Sequence, residues 1–270
     1  MKILNGSDLA SFIAQRQAQQ VRTLRQTTGV TPKLAIVVTV EHPAIEVYMR
    51  MKQRYGDELF VDVALHRVAQ ADASKLITEL NADDSVHGII VQLPLEDPSQ
   101  TDAIVDLVDP AKDVDALGKN ATLDPATPMA ILWLLAGYNV ELRGKSIVLV
   151  GRGKLVGAPL ERMLKASGLD AQVLDSSTKD ISAELLNADI IITATGASNL
   201  ITASMIKEGA VVVDAGVAGE QGKTVGDLAA DVYERTDLTI TPTKGGVGPL
   251  TICALFDNVI RAAQDATKDA

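Results

Sequence analysis

Ser146-Ile-Val-Leu-Val-Gly-Arg-Gly-Lys-Leu-Val-Gly-Ala-Pro-Leu160 decides the fold of this chain. Residues 146–150 are apolar or small without a break, which suits a parallel strand buried on both faces. Glycines follow at 151, 153 and 157, and glycine lets the backbone turn sharply and approach a ligand closely. The residues after Val156 read as a helix whose first N–H groups face the turn, a ready seat for a pyrophosphate. The spacing, G-x-G-x-x-x-G, is one residue longer than the usual dinucleotide fingerprint. The strand-turn-helix context therefore carries as much weight as the glycines. A plain strand-to-helix turn, with glycines placed for packing, is the competing reading.

On the C-terminal side the pattern repeats. Strands are expected over 168–175, 188–196, 210–217 and 238–241, with helices over 180–186, 201–208 and 250–263. Alternation at this spacing predicts a doubly wound parallel sheet. The first of these strands ends in Asp175, where dinucleotide folds place an acid on the adenosine ribose hydroxyls. The second ends in small residues, Ala194-Thr-Gly196, which leave room for a ligand. Gly219–Lys223 reads as an exposed turn, and Gly226-Asp227 falls in irregular sequence. Pro242-Thr-Lys-Gly-Gly-Val-Gly-Pro-Leu-Thr251 is a second glycine-rich loop, again suggesting close backbone approach to a ligand. The tail after Ala263 is polar.

On the N-terminal side Ser7 is expected to cap a helix to about Arg25, with Leu9, Phe12, Ile13 and Val21 inward. A strand is expected over 33–40. Pro43 then opens a helix that carries Tyr48 and Lys52 on one face. A phenol and an ammonium so placed could hold a polar substrate and move protons; a solvated lysine beside a packed tyrosine is the plainer alternative. Further strands are expected over 58–65 and 88–95, and helices over 71–80, 101–108 and 127–135. Gln92 interrupts an apolar run and Pro94 ends it. A buried amide must find partners, either backbone or a side chain at a site. Asp113 and Asp115 sit in the loop 110–118, where paired acids are usually solvated or cap a turn.

The totals exclude several classes. A chain of 270 residues with 47% hydrophobic content can bury one large core or two smaller ones. No apolar run approaches the about 20 residues of a membrane span, and the N-terminus turns polar too early for a signal peptide. Cys253 is the only cysteine, which excludes internal disulfides and suits a reducing, cytoplasmic setting. His42, His66 and His87 show no metal-ligand spacing, so no metal is expected. A net charge of −10 argues against nucleic acid as a partner. With 3% aromatics, base-stacking platforms are not expected either.

Six ordered strings carry a resemblance: Tyr48-x-x-x-Lys52, Val91-Gln-Leu-Pro-Leu95, Lys112-Asp-Val-Asp115, Pro125-x-Thr-Pro128, Val150-Gly-Arg-x-x-x-Val-Gly-x-Pro159 and Gly245-Gly-Val-Gly-Pro-x-Thr251. Together they resemble the methylenetetrahydrofolate dehydrogenase/cyclohydrolase family from about residue 5 to residue 263. The resemblance implies two α/β domains around a cleft. Residues 1–124 plus 249–270 would form a folate-binding catalytic domain, with the C-terminal helix returning to it. Residues 125–248 would form a Rossmann-like domain, and the protein would be a homodimer.

The resemblance also implies the chemistry. 5,10-Methylenetetrahydrofolate would give a hydride to a nicotinamide, and water would open the resulting methenyl cation to 10-formyltetrahydrofolate. Lys52 would assist proton transfer, Gln92 would hold Lys52 and help set its charge, Tyr48 would pack along the substrate, and Asp115 would accept hydrogen bonds from the pterin. Leu93, Pro94, Gly245, Gly246 and Pro249 would complete the folate site. The dinucleotide would lie on Gly151, Arg152, Gly153, Val156, Gly157, Asp175, Ser176, Ser177, Thr195, Gly196 and Val217.

The chain departs from the family at several positions. Val40 and Ile45 replace a usual glycine and serine, Ala126 replaces a cysteine, and the loop 116–124 lacks the common pattern. The family's NADP users commonly have a basic residue where this chain has Ser177, and here the preceding strand ends in an acid. NAD is therefore favoured over NADP, although Arg152 and Lys179 leave NADP open. Three rivals compete with the bifunctional reading. One is a dehydrogenase that has lost the cyclohydrolase, and another is a folate- or nucleotide-binding regulator without turnover. The third, an unrelated Rossmann reductase, would leave Gln92 and the 245–251 string unexplained.

Overall fold

The computed structural model describes residues 1–220 and 223–268. Cα packing divides the chain into two units. A three-stranded unit comprises Ser11–Ala126 and Ile252–Ala270, and a six-stranded unit comprises Met1–Ala10 and Thr127–Thr251. Strand β1 (Lys2–Ile3) opens the chain and helix α1 (Gly6–Thr28) follows. The first ten residues belong with the six-stranded unit rather than with residues 11–124, because β1 pairs with a strand near residue 239.

In the three-stranded unit β2 (Lys33–Val38) leads to α2 (Pro43–Leu59), β3 (Asp62–Arg67), α3 (Gln70–Ala82), β4 (Gly88–Gln92) and α4 (Thr101–Val105). The sheet order is β3-β2-β4, all parallel. The central strand is buried over Leu34–Val38, as its continuous apolar run requires. Ala35, Val37, Ile89 and Val91 pack against Ile77 and Leu80 of α3 and Ile104 and Val105 of α4.

The six-stranded unit contains most of α5 (Ala126–Gly137), then β5 (Ile147–Val150), α6 (Gly157–Ala166), β6 (Ala171–Leu174), α7 (Ile181–Leu185), β7 (Ile190–Thr193), β8 (Val211–Asp214), the hairpin β9 (Ala218–Glu220) and β10 (Lys223–Val225), and β11 (Thr239–Ile240). Helix α8 (Val247–Ala266) begins here and continues into the other unit. The large sheet has the order β1-β11-β8-β7-β5-β6 with every pair parallel. This is the expected doubly wound sheet. Its central strands β5 and β7 are buried throughout.

Several local expectations need correction. The cap of α1 is Asn5, whose Oδ1 accepts from Ser7 N at 3.0 Å and Asp8 N at 3.4 Å, so the helix starts one residue before Ser7. Phe12 lies on the outer face, 70% exposed. Glu58 and Leu59 are the last turn of α2 and not part of a strand. Phe60 then takes a left-handed φ of 61°, so β3 starts only at Asp62. The helix expected over 201–208 is a short 3-10 turn, Ala203–Met205. Ile201 instead bridges to Leu228. Helix α8 begins at Val247, with Pro249 in its first turn, where proline is tolerated. Of the turn expected over 219–223, Gly219, Glu220 and Lys223 are instead strand residues of the β9–β10 pair; Gln221 and Gly222 lie outside the described residues, as do Asp269 and Ala270 of the polar tail.

Candidate active site

Each parallel sheet reverses its strand order once. In the smaller sheet the reversal falls between β2 and β4, whose carboxyl ends meet at the Val38–Gln92 pair. Open parallel sheets bind ligands in the crevice at such a point. Helix α2 leaves β2 there and carries Lys52 to Gln92. Lys52 Nζ donates to Gln92 Oε1 at 3.0 Å. Gln92 Nε2 donates to Leu93 O at 2.7 Å, which turns its carbonyl toward the lysine. This is the partner that a polar residue in an apolar strand needs. Pro94 follows a cis peptide after Leu93. Tyr48, one turn before Lys52, is 39% exposed and open to a ligand. Ile45, which stands where the family usually has a serine, is buried in the core.

The loop 112–118 brings in the carboxylates and gives them different tasks. Ile89 N donates to Lys112 O at 2.8 Å, so the loop runs beside β4 as a short parallel extension. Asp113 is buried, and its carboxylate accepts from Gly118 N at 2.8 Å and Leu117 N at 3.4 Å. It closes the turn. Asp115 and Lys52 sense each other's charge. Burial pulls the Lys52 ammonium below the usual lysine range, with Asp115 opposing. Burial also pushes the Asp115 carboxyl up, with Lys52 opposing. In both groups the loss of water outweighs the partner's charge. From α8, buried Asn258 donates Nδ2 to Val114 O at 2.9 Å and Asp124 O at 2.8 Å, pinning both ends of the loop after Asp113.

In the larger sheet the reversal falls between β5 and β7. Gly151 leaves β5 with φ 101°, and a Cβ there would lie 2.7 Å from Ala194 O beyond β7. A Cβ on Gly157 would lie 2.0 Å from Gly151 O. Packing alone therefore explains these two glycines. Gly153 differs: a Cβ there would meet nothing within 4 Å. Its bare backbone faces open space beside the first turn of α6, which Val156 precedes with φ −132°. That arrangement fits the diphosphate of a dinucleotide.

Asp175 follows β6, and its Oδ1 accepts from Ser177 N at 2.9 Å and Ser177 Oγ at 2.6 Å. These bonds, with Arg152 nearby, hold its carboxyl below the usual range. Ser176 and Ser177 form the exposed turn that follows. Arg152 pairs with Glu161 at 3.2 Å. Gly196 has φ 70°, with Val217 O 3.5 Å from where its Cβ would be. The second glycine-rich loop packs tightly on the start of α1: Gly245 O accepts from Ser7 N at 3.0 Å, and a Cβ on Gly6 would overlap Gly246 O. Asn258, Asp214 and Asp227 are not among the residues the sequence singles out; the side-chain partners of Asn258 and Asp227 lie far along the chain.

Two family models match the sequence. The catalytic domain of tetrahydrofolate dehydrogenase/cyclohydrolase matches residues 4–115, and its NAD(P)-binding domain matches residues 125–267. The chain belongs to the tetrahydrofolate dehydrogenase/cyclohydrolase family. It is 38% identical to the bifunctional protein FolD of Moorella thermoacetica, over 97% of this chain and 99% of that one. The crystal structure of the bifunctional FolD dehydrogenase/cyclohydrolase from Campylobacter jejuni matches with a TM-score of 0.91 at 34% identity, covering 98% of this chain and 99% of that one. The Trypanosoma brucei FolD dehydrogenase-cyclohydrolase, complexed with NADP and an inhibitor, matches with a TM-score of 0.91 at 27% identity, covering 98% of each chain.

Like the family, this protein is a bifunctional enzyme of folate one-carbon metabolism. It oxidises 5,10-methylenetetrahydrofolate to the methenyl form with a nicotinamide dinucleotide, and it hydrolyses the methenyl form to 10-formyltetrahydrofolate. No helix among the described residues is long and apolar enough to cross a membrane, and the described residues hold no cluster of metal ligands.

Proposed function

We propose that Lys52 is the proton-handling residue of the hydrolysis and that Gln92, Asp115 and Tyr48 serve it and the folate. The observation that carries this reading is the 3.0 Å hydrogen bond from Lys52 Nζ to Gln92 Oε1 at a sheet's switch point. Burial favours the neutral amine, which can accept a proton at a pH where a solvated lysine could not. Water adds to the bridging carbon of the methenyl cation, and Lys52 takes the proton that leaves. The bond from that carbon to one ring nitrogen then breaks as the hydroxyl proton of the adduct passes to that nitrogen, which leaves the formyl group on the other nitrogen. Asp115 accepts hydrogen bonds from the pterin, with its carboxyl raised by burial. Tyr48 lies along the substrate, beside Leu93 and Pro94.

Gly151, Arg152, Gly153, Val156 and Gly157 hold the diphosphate, Asp175, Ser176 and Ser177 the adenosine ribose, and Thr195, Gly196 and Val217 the nicotinamide end. When bound, the nicotinamide supplies the hydride acceptor; the chain's part in that step is to hold the dinucleotide and the folate in place. The ionised Asp175 and the absence of a base at Ser177 favour NAD over NADP. The enzyme works as a cytoplasmic homodimer without nucleic-acid partners, in keeping with its net charge of −10.

Lys52→Ala tests the assignment. Hydrolysis of methenyltetrahydrofolate should fall to the rate in buffer while dinucleotide binding survives. Unchanged turnover would remove Lys52 from the mechanism.

A further inference from the structure

Two acids with no part in the scheme above tie together the segments beyond β7 and β8. Asp214 ends β8. Its Oδ1 accepts from Thr193 Oγ1 at 3.2 Å, Gly216 N at 2.9 Å and Asp227 N at 3.1 Å, and its Oδ2 from Leu228 N at 3.2 Å. Asp227 is 0% exposed, and its Oδ2 accepts from Thr195 N at 2.7 Å. Its Oδ1 has no hydrogen-bond partner among the described residues. The backbone is shaped around both carboxylates. A Cβ on Gly216 would lie 2.0 Å from Asp227 Oδ1, and one on Gly226 would lie 2.0 Å from Asp214 Oδ2.

As a stabilising device this arrangement is poor. Two neighbouring acids, one fully and one partly buried, repel, and a buried carboxylate oxygen without a donor is costly. Apolar residues of similar size would hold the unit together better. Natural chains keep such local conflicts mainly at functional sites. What the pair does achieve is the placement of two turns. With Thr195 N held by Asp227 and Ala197 N held by Thr195 Oγ1 at 3.0 Å, the 195–197 turn is fixed at both ends. Asp214 fixes the start of the 215–217 segment through Gly216 N and is joined to Asp227 through the Asp227 N–H.

We infer that Asp227, anchored by Asp214, is a positioning residue for the dinucleotide: it holds the 195–197 turn, by the Thr195 N–H, in the shape that receives the nicotinamide end. The inference rests on the reading that places Thr195, Gly196 and Val217 against the dinucleotide. It also means that Thr195 cannot offer its N–H to the ligand.

The two activities separate this role from a merely structural one, because Lys52, Gln92, Asp115 and Tyr48, the groups assigned to the hydrolysis, lie in the other unit. Asp227→Ala should weaken NAD binding about tenfold, the scale of one hydrogen bond to a charged group, as read by calorimetric titration. Asp227→Asn keeps an acceptor for Thr195 N and should restore most of that loss. Gly216→Ala would push the carboxylate aside without deleting it and should reproduce the loss, which covers the case in which Asp227→Ala does not fold. Methenyltetrahydrofolate hydrolysis should stay within about twofold in every variant that folds. Unchanged NAD affinity in Asp227→Ala and Gly216→Ala would overturn the inference, and so would hydrolysis falling in parallel with NAD binding. Asp175→Ala, run alongside, reads the dinucleotide site itself. If it alone weakens NAD binding, the positioning role fails and the site stands; if none of the variants does, the site assignment fails as well.

Discussion

Lys52 Nζ and Gln92 Oε1 meet at 3.0 Å, and Gln92 spends its own N–H on Leu93 O at 2.7 Å. The lysine thus faces an acceptor that is polar but uncharged. Gln92→Glu should change that. A carboxylate beside Lys52 favours the ammonium and raises its pKa. If the neutral amine is the base, hydrolysis rises with pH as Lys52 loses its proton, and the rise lies below the ordinary lysine range in the parent. In Gln92→Glu the rise should move to higher pH by about one unit or more, with kcat at neutral pH down roughly tenfold. A profile that does not move would mean that Lys52 does not set the limb.

The same shift has a stability consequence. Lys52 is lowered in the folded protein, so between its folded pKa and the usual value the unfolded chain binds more protons. Lys52 therefore opposes folding below its folded pKa, and the penalty fades as pH rises toward the ordinary lysine value. Lys52→Met should remove the penalty and raise the melting temperature at neutral pH. The shift should be roughly 2–4 °C for each 1 kcal/mol recovered. A gain that grows with rising pH would contradict this sign.

Asn258 offers a test of how the Asp115 loop is held. Its Nδ2 donates to Val114 O at 2.9 Å and Asp124 O at 2.8 Å in a buried setting. Asn258→Leu keeps the volume and strands both carbonyls. A loss on the order of 2–4 kcal/mol is expected, with hydrolysis reduced more than NAD binding. Equal loss of both activities without a change in melting temperature would show that the side chain does not act through this loop.

How much of this was legible in the sequence depended on how local each cause is. The buried strands at 34–38 and 147–150 announce themselves by unbroken apolar runs. The Tyr48–Lys52 pairing follows from helical periodicity alone. The boundary near residue 60 is not marked in the sequence, because Leu59 and Val61 both suit a strand; only the left-handed Phe60 reveals where α2 stops. Asp113 and Asp115 look alike in sequence and part company only because Gly118 and Leu117 fold back on Asp113. Asn258 and Asp227 carry no local signal at all. Their partners lie 144 and 32 positions away, and no spacing rule reaches that far.

Cofactor preference turns on one carboxylate. Asp175 is held ionised by Ser177, so its charge would oppose a 2′-phosphate at the ribose. The parent should show a higher kcat/KM with NAD than with NADP. Ser177→Arg combined with Asp175→Ser should reverse the ratio by tenfold or more, since a guanidinium can bind a phosphate through two hydrogen bonds. A tenfold NADP advantage in the parent would reject the assignment.

The three glycines of the β5–α6 turn separate packing from ligand approach. On Gly157 a Cβ would stand 2.0 Å from Gly151 O and 2.8 Å from Gly151 C, both backbone atoms that cannot move aside cheaply. Gly157→Ala should therefore distort the turn, lowering both the melting temperature and NAD affinity. On Gly153 a Cβ meets nothing within 4 Å, so Gly153→Ala should leave the melting temperature unchanged. If the diphosphate lies against that bare backbone, the same methyl group should still weaken NAD binding several-fold, while methenyltetrahydrofolate hydrolysis continues. Calorimetric titration beside a thermal melt separates the cases. Parent-like affinity in Gly153→Ala would move the diphosphate off this glycine, leaving the N-terminal turn of α6 to hold it from Val156 onward.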